Sequence, residues 1–151
     1  MRRAAALCVL ALLAGACDSG GPGARRVRVI VSQDAERMVV LAEVASTPAQ
    51  RARGLMFRQE VPAGTGMLFV FPAPQRGGFY MKDTLVPLHI LFIRDGRVLE
   101  IRTMQPCAAD PCPLTVPAQP YSSALEVPLG VLGSLTAGAR AEVFGRLESP
   151  S

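Results

Sequence analysis

Phe79-Tyr80-Met81-Lys82-Asp83-Thr84-Leu85-Val86-Pro87-Leu88-His89-Ile90-Leu91-Phe92-Ile93 is the stretch on which the fold turns. Its second half, Leu88 to Ile93, is an apolar run with the length and composition of a buried strand. Its first half holds the chain's one lysine, Lys82, and its second half the one histidine, His89. Just beyond it, Asp95-Gly96 marks a tight turn between Leu88–Ile93 and Val98–Met104, the clearest hairpin in the sequence.

Working outward, Gly66 to Phe71 is a further apolar strand, joined to the central stretch by the Pro- and Gly-rich link Pro72 to Gly78. Before it, Thr47-Pro48-Ala49-Gln50 carries a helix-start signature: an N-cap threonine, proline at the first helical position, and glutamine at the capping-box spacing. Gly54 suits the end of that helix, which is short. Val27 to Val31 and Met38 to Ala45 read as a strand pair parted by the polar residues Ser32 to Arg37, and Ser123 to Val127 and Ala141 to Leu147 read as closing strands. Many short strands, one short helix and abundant Gly and Pro predict a mostly β fold, a compact barrel or sandwich. Residues 27–147 form its single domain.

Half of the chain is hydrophobic and 19% is charged, which predicts a packed core rather than disorder. Met1-Arg2-Arg3 followed by Ala4 to Ala16 reads as a secretory signal, residues 1–16, with an apolar run too short to span a bilayer. Leu13-Ala14-Gly15-Ala16-Cys17 resembles a bacterial lipobox, so Cys17 is the expected lipidation site and residues 17–26 a flexible tether to the membrane. Ordinary cleavage and release is the alternative. Asp18 resembles an inner-membrane retention signal. The expected location is thus the bacterial cell envelope, facing the periplasm or exterior.

With Arg2 and Arg3 removed, 14 basic residues face 12 acidic ones, too weak and scattered a balance for a nucleic-acid partner. In an oxidising compartment, Cys107 and Cys112 are an even pair that closes a small loop as a disulfide.

The motifs carry a resemblance. Thr47 to Arg58, ending in Gly54-Leu55-Met56-Phe57-Arg58, is similar to the opening signature of domain-of-unknown-function family 192 of bacteria and archaea. Gly66 to Phe71 resembles its second motif and Phe79 to Thr84 its third. Pro106-Cys107, Cys112-Pro113 and Leu125-Glu126-Val127 resemble its later landmarks. The resemblance covers roughly residues 27 to 146 and implies a compact β fold, often exported or lipid-anchored, with no established activity. The family usually carries Asn where this chain has Asp83, and Asp where it has His89.

If Phe79 to Thr84 is extended, Tyr80, Lys82 and Thr84 share one face while Phe79, Met81 and Asp83 share the other. A point charge, a phenol and a hydroxyl side by side suit an anionic or polar ligand, with Arg58 carried beside them and Asp83 at the edge. The structural alternative is that Lys82 snorkels from an apolar wall and pairs with a carboxylate such as Asp83 or Glu126. Met56, Met67 and Met81, with His89, offer soft ligands for copper in an exported protein, against their ordinary use as core filling. No cofactor is otherwise expected. No Gly-x-Ser-x-Gly elbow is present, and convergence of Asp83, Glu100 and Glu126 is what paired-carboxylate chemistry would need. The leading expectation is a non-enzymatic envelope module that binds a small ligand or a protein partner. A copper carrier is the alternative, and an enzyme acting on an envelope substrate a further one.

Overall fold

A computed structural model describes residues 25–146. The expected signal, Cys17 and all but the end of the tether lie outside the described residues. Within them, β1 (Arg26–Gln33), β2 (Glu36–Ala45), α1 (Pro48–Arg53), β3 (Thr65–Gln75), β4 (Leu88–Arg94), β5 (Arg97–Met104), β6 (Tyr121–Pro128) and β7 (Arg140–Phe144) follow in order. The strands close into a barrel in the order β1-β2-β3-β6-β4-β5-β7. The fold is therefore a seven-stranded barrel with one short helix, the barrel of the two architectures expected.

Local chemistry accounts for its hairpins and its helix. Asp34 opens the two-residue turn between β1 and β2 at φ 52°. Asp95 and Gly96 both sit at positive φ, 51° and 69°, the backbone that a two-residue turn needs to match strand twist. Thr47 caps α1 through its side chain, which accepts from the Gln50 N–H, while the Gln50 side chain reaches back to the Thr47 N–H at 3.0 Å. Gly54 ends the helix at φ 49°.

β2 and β3 run parallel, and the other pairings are antiparallel. A parallel pair needs a crossover, and α1 with the loop to residue 64 supplies it. This lays the helix over the outside of the barrel instead of closing a hairpin.

The consequence is two apolar layers. Val29, Val40, Leu68, Leu91 and Leu125 fill the barrel interior, with Leu135 packed among them. Their alternates on the same strands, Met67 and Phe69 of β3, Leu88, Ile90 and Phe92 of β4, and Ala124 of β6, face outward but are also buried. Leu55, Val61, Phe79 and Met81 cover them. Two buried faces explain why β3 and β4 read as unbroken apolar runs with no period-2 alternation.

The link between β3 and β4 is the cover. Phe79 and Thr115 exchange backbone hydrogen bonds at 3.0 and 2.8 Å. The Cys107 N–H donates to the Met81 carbonyl at 3.3 Å, and the Phe57 N–H donates to the Asp83 carbonyl at 2.7 Å. Cys107 and Cys112 are joined as a disulfide, as their count and setting predict.

Candidate functional site

The expected site does not assemble as the sequence suggested. Phe79 to Thr84 is not a continuous strand, because Asp83 takes a left-handed turn at φ 54°. Short polar side chains tolerate that region far better than others do, so Asp at 83 meets the same backbone demand as Asn. The turn breaks the period-2 pattern that would put Tyr80, Lys82 and Thr84 on one face. Lys82 points to solvent, 48% exposed, and pairs with Asp110 of the disulfide loop at 2.5 Å, not with Asp83 or Glu126. Arg58 turns to β2, where its two terminal nitrogens grip the Glu43 carboxylate at 2.9 and 2.6 Å. Thr84 is buried, its hydroxyl 3.4 Å from the Lys82 carbonyl.

The soft-ligand set is divided by the sheet. Met67 and Met81 belong to the outer layer. His89 shares its face of β4 with Leu91 and Ile93, which point into the barrel interior. Its Nδ1 lies 3.0 Å from the Thr103 hydroxyl, and partial burial pushes its pKa below the usual histidine value. The three carboxylates also stay apart: Glu100 accepts from the Ala118 N–H at 3.0 Å and pairs with Arg102, Asp83 sits at its turn, and Glu126 is under the cover.

A different site forms between the outer face of the barrel and its cover. A cavity of about 320 Å³ opens there beneath α1 and the link between β3 and β4. Its apolar wall is an aromatic cluster with Phe79 at the hub, 5.0 Å from Phe69 and 6.2 Å from Tyr121, centroid to centroid. Phe69 and Phe79 meet edge to face, the arrangement that ring quadrupoles favour. Of the candidate residues weighed from sequence, Met56, Tyr80, Thr84 and Glu126 line this cavity.

Three polar groups give it chemistry. Tyr121 is fully buried, with its hydroxyl donating to the Gly77 carbonyl at 2.8 Å and accepting from the Gln75 side chain. Burial pushes its pKa up to about 12, opposed by the Gln75 contact. Arg51 of α1 donates through Nη1 to the carbonyls of Ser46 and, at 3.0 Å, Val70, and its guanidinium lies 5.0 Å from the centroid of the Phe71 ring. Nε and Nη2 of Arg51 engage no partner among the described residues.

The third is Glu126, on β6 between Met67 of β3 and Ile90 of β4, its cross-strand neighbours. Leu125 and Val127 on either side point into the barrel, so Glu126 points into the outer layer. It is 5% exposed and lines the cavity, and no hydrogen bond or ion pair among the described residues engages its carboxyl. Desolvation alone pushes its pKa up to about 8, so at neutral pH it holds its proton. The sequence offers Glu126 as a family landmark, as a candidate partner of Lys82 and as one of three acids whose convergence paired-carboxylate chemistry would need, and neither the pairing nor the convergence forms. The available signal was an acid set inside an apolar strand, Ala124-Leu125-Glu126-Val127.

Comparison with known proteins agrees with this architecture. A structure of a protein of unknown function from Novosphingobium aromaticivorans is 31% identical, covers 81% of this chain and 88% of its own, and superposes with a TM-score of 0.73. One from Sinorhizobium meliloti, described as a candidate transcription regulator, is 28% identical, covers 82% of this chain and 98% of its own, and has a TM-score of 0.74. No curated protein matches the chain. The model of the DUF192 family, described as an uncharacterized ACR, matches residues 29–143, and the chain belongs to that family.

Proposed function

We propose that this domain is a binding module for a small molecule with an apolar body and one polar end, held in the cavity between the barrel and its cover. The observation that carries the reading is Glu126, an unpartnered acid at 5% exposure lining a cavity whose apolar wall is an aromatic cluster. Burying an acid without a partner is destabilising, and such groups concentrate at functional sites. The volume falls at the small end of the range of roughly 300–1,000 Å³ typical of ligand pockets, and a few polar groups on an apolar wall is their usual composition. The exposed Lys82–Asp110 pair has the character of a clasp on the cover, and Arg58–Glu43 that of a brace below α1.

Native mass spectrometry of the gently purified protein tests this. A small-molecule adduct is expected in the wild type and lost in Glu126→Leu. An adduct retained equally in that variant, or a wild type that carries none, counts against the cavity.

The pattern ending in Leu13-Ala14-Gly15-Ala16-Cys17 supports a lipid-anchored position at the cell envelope. Lipid labelling lost in Cys17→Ser is the expected result, and an unlabelled wild type refutes the anchor.

A further inference from the structure

The charged side chains that line the cavity are Arg51, Arg53 and Glu126. Arg51 and Glu126 do not meet: neither a salt bridge nor a hydrogen bond joins them. The guanidinium is partly satisfied by the Ser46 and Val70 carbonyls, whereas an ionised Glu126 in this apolar cavity would bear its desolvation cost alone, and the acid avoids that cost by keeping its proton. A neutral carboxyl group offers an O–H, and the guanidinium offers N–H groups and no acceptor. Of the other polar side chains, Tyr121 is occupied with Gly77 and Gln75, Gln75 with Tyr121 and Gly77, and Thr84 with the Lys82 carbonyl, while Tyr80 brings a further phenol O–H. The cavity is therefore rich in free donors and in positive charge.

From this juxtaposition we infer that the cavity takes a small organic carboxylate, its anionic head between Arg51 and Glu126 and its apolar body against Phe69, Phe71 and Phe79. The inference rests on the ligand-binding reading above. A carboxylate presents two acceptor oxygens, suited both to the free Nε and Nη2 edge of Arg51 and to an O–H donor. An ammonium head would meet the two arginines with like charge and would find an anionic partner only once Glu126 had released its proton to solvent.

The two head groups predict opposite responses to pH. Around Glu126, α1 contributes Arg51 and Arg53, the cover contributes Tyr80, and β6 itself contributes Tyr121. β3 and β4 place the non-titrating Met67 and Ile90 directly opposite it. A carboxylate binds the protonated form, which is depleted as pH rises through about 8. Its affinity therefore falls about thirtyfold between pH 7 and about pH 9.5.

The test is an NMR titration of the protein with phenylacetate, benzyl alcohol and benzylamine across that pH range. Phenylacetate is expected to bind best at neutral pH and to weaken on the stated profile. The profile should become flat in Glu126→Gln, and Arg51→Gln should weaken phenylacetate at least about tenfold more than it weakens benzyl alcohol. Preference for benzylamine, or affinity for phenylacetate that rises with pH, overturns the carboxylate assignment and leaves the cavity as a binding site. If none of the three probes perturbs cavity residues at about 10 mM, a concentration at which even weak fragments of this size bind, the ligand-binding reading itself fails.

Discussion

Replacing Glu126 with glutamine should stabilise the protein, and by an amount that grows with pH. In the folded chain desolvation raises the carboxyl pKa from 4.5 to about 8. A group whose folded pKa lies above its unfolded value contributes stability that is fully present below the unfolded pKa. That stability is lost as pH rises, because the unfolded chain gives up the proton that the folded chain must keep. The window runs from about 4.5 to about 8, and each pH unit within it is worth about 1.4 kcal/mol. At pH 7 the cost relative to the fully protonated state is about 3 kcal/mol, and above pH 8 it levels off near 5 kcal/mol. Glutamine has nearly the same shape and cannot ionise, so it escapes this slope.

Urea unfolding of both proteins at pH 4.5, 7 and about 8.5 gives the comparison, with the difference between variants isolating position 126. Other groups also titrate. His89, whose folded pKa is lowered, adds stability as pH rises towards 6.5, and Glu100, also lowered, loses its contribution as pH falls. Both terms are common to the two proteins and cancel. The expected result is near equality at pH 4.5 and a glutamine variant more stable by a few kcal/mol at pH 8.5. A difference that does not change with pH, or a wild type that gains on the variant as pH rises, would refute the account of Glu126 as a buried, unpartnered acid.

Gly66→Ala should cost about 1–3 kcal/mol, because a Cβ there would stand 2.2 Å from the Glu126 carbonyl oxygen, a backbone atom that cannot step aside. Thermal melts read this directly. Thr47→Ala removes the acceptor of the capping box and should cost about 1 kcal/mol, measured by denaturant midpoint. Since α1 supplies Arg51 and Arg53 to the cavity, the same variant should also weaken any ligand held there. Cys107→Ser opens the small loop and should lower stability by about 2 kcal/mol through regained chain entropy. A melting temperature unmoved by reductant would contradict that.

Much of the fold was legible because its signals are local. The capping box at Thr47 and Gln50, the glycine at 54 and the Asp95-Gly96 turn act over a few residues of chain, and each appears in the structure where the sequence put it. The strands were legible as apolar runs, though β3 and β6 extend beyond the runs first read. Phe79 to Thr84 misled for the same reason. Its composition suits a strand, and nothing in it announces that Asp83 turns left-handed to bring its carbonyl to the Phe57 N–H.

The site residues divide along the same line. Lys82 stood out by its singularity in the sequence, yet its partner is decided by the disulfide loop, which folds Asp110 back over it. Arg58 follows α1 closely in the chain, but the parallel pairing of β2 with β3 brings Glu43 to it instead of the Tyr80 segment. Tyr80, Thr84 and Met56 do reach the cavity.

By itself, then, the sequence determined the family, the β class, the short capped helix, the hairpins and the pairing of Cys107 with Cys112, all matters of short-range pattern or of counting. Only the tertiary structure decided that β3, β4 and β6 are buried on both faces. That depends on which strands are neighbours in the closed barrel and on which segments are laid over its outside. It also decided what Glu126 is. An acid in a strand is solvated or buried according to the face it occupies and what covers that face. Here the barrel takes Leu125 and Val127, and the cover closes over the residue between them.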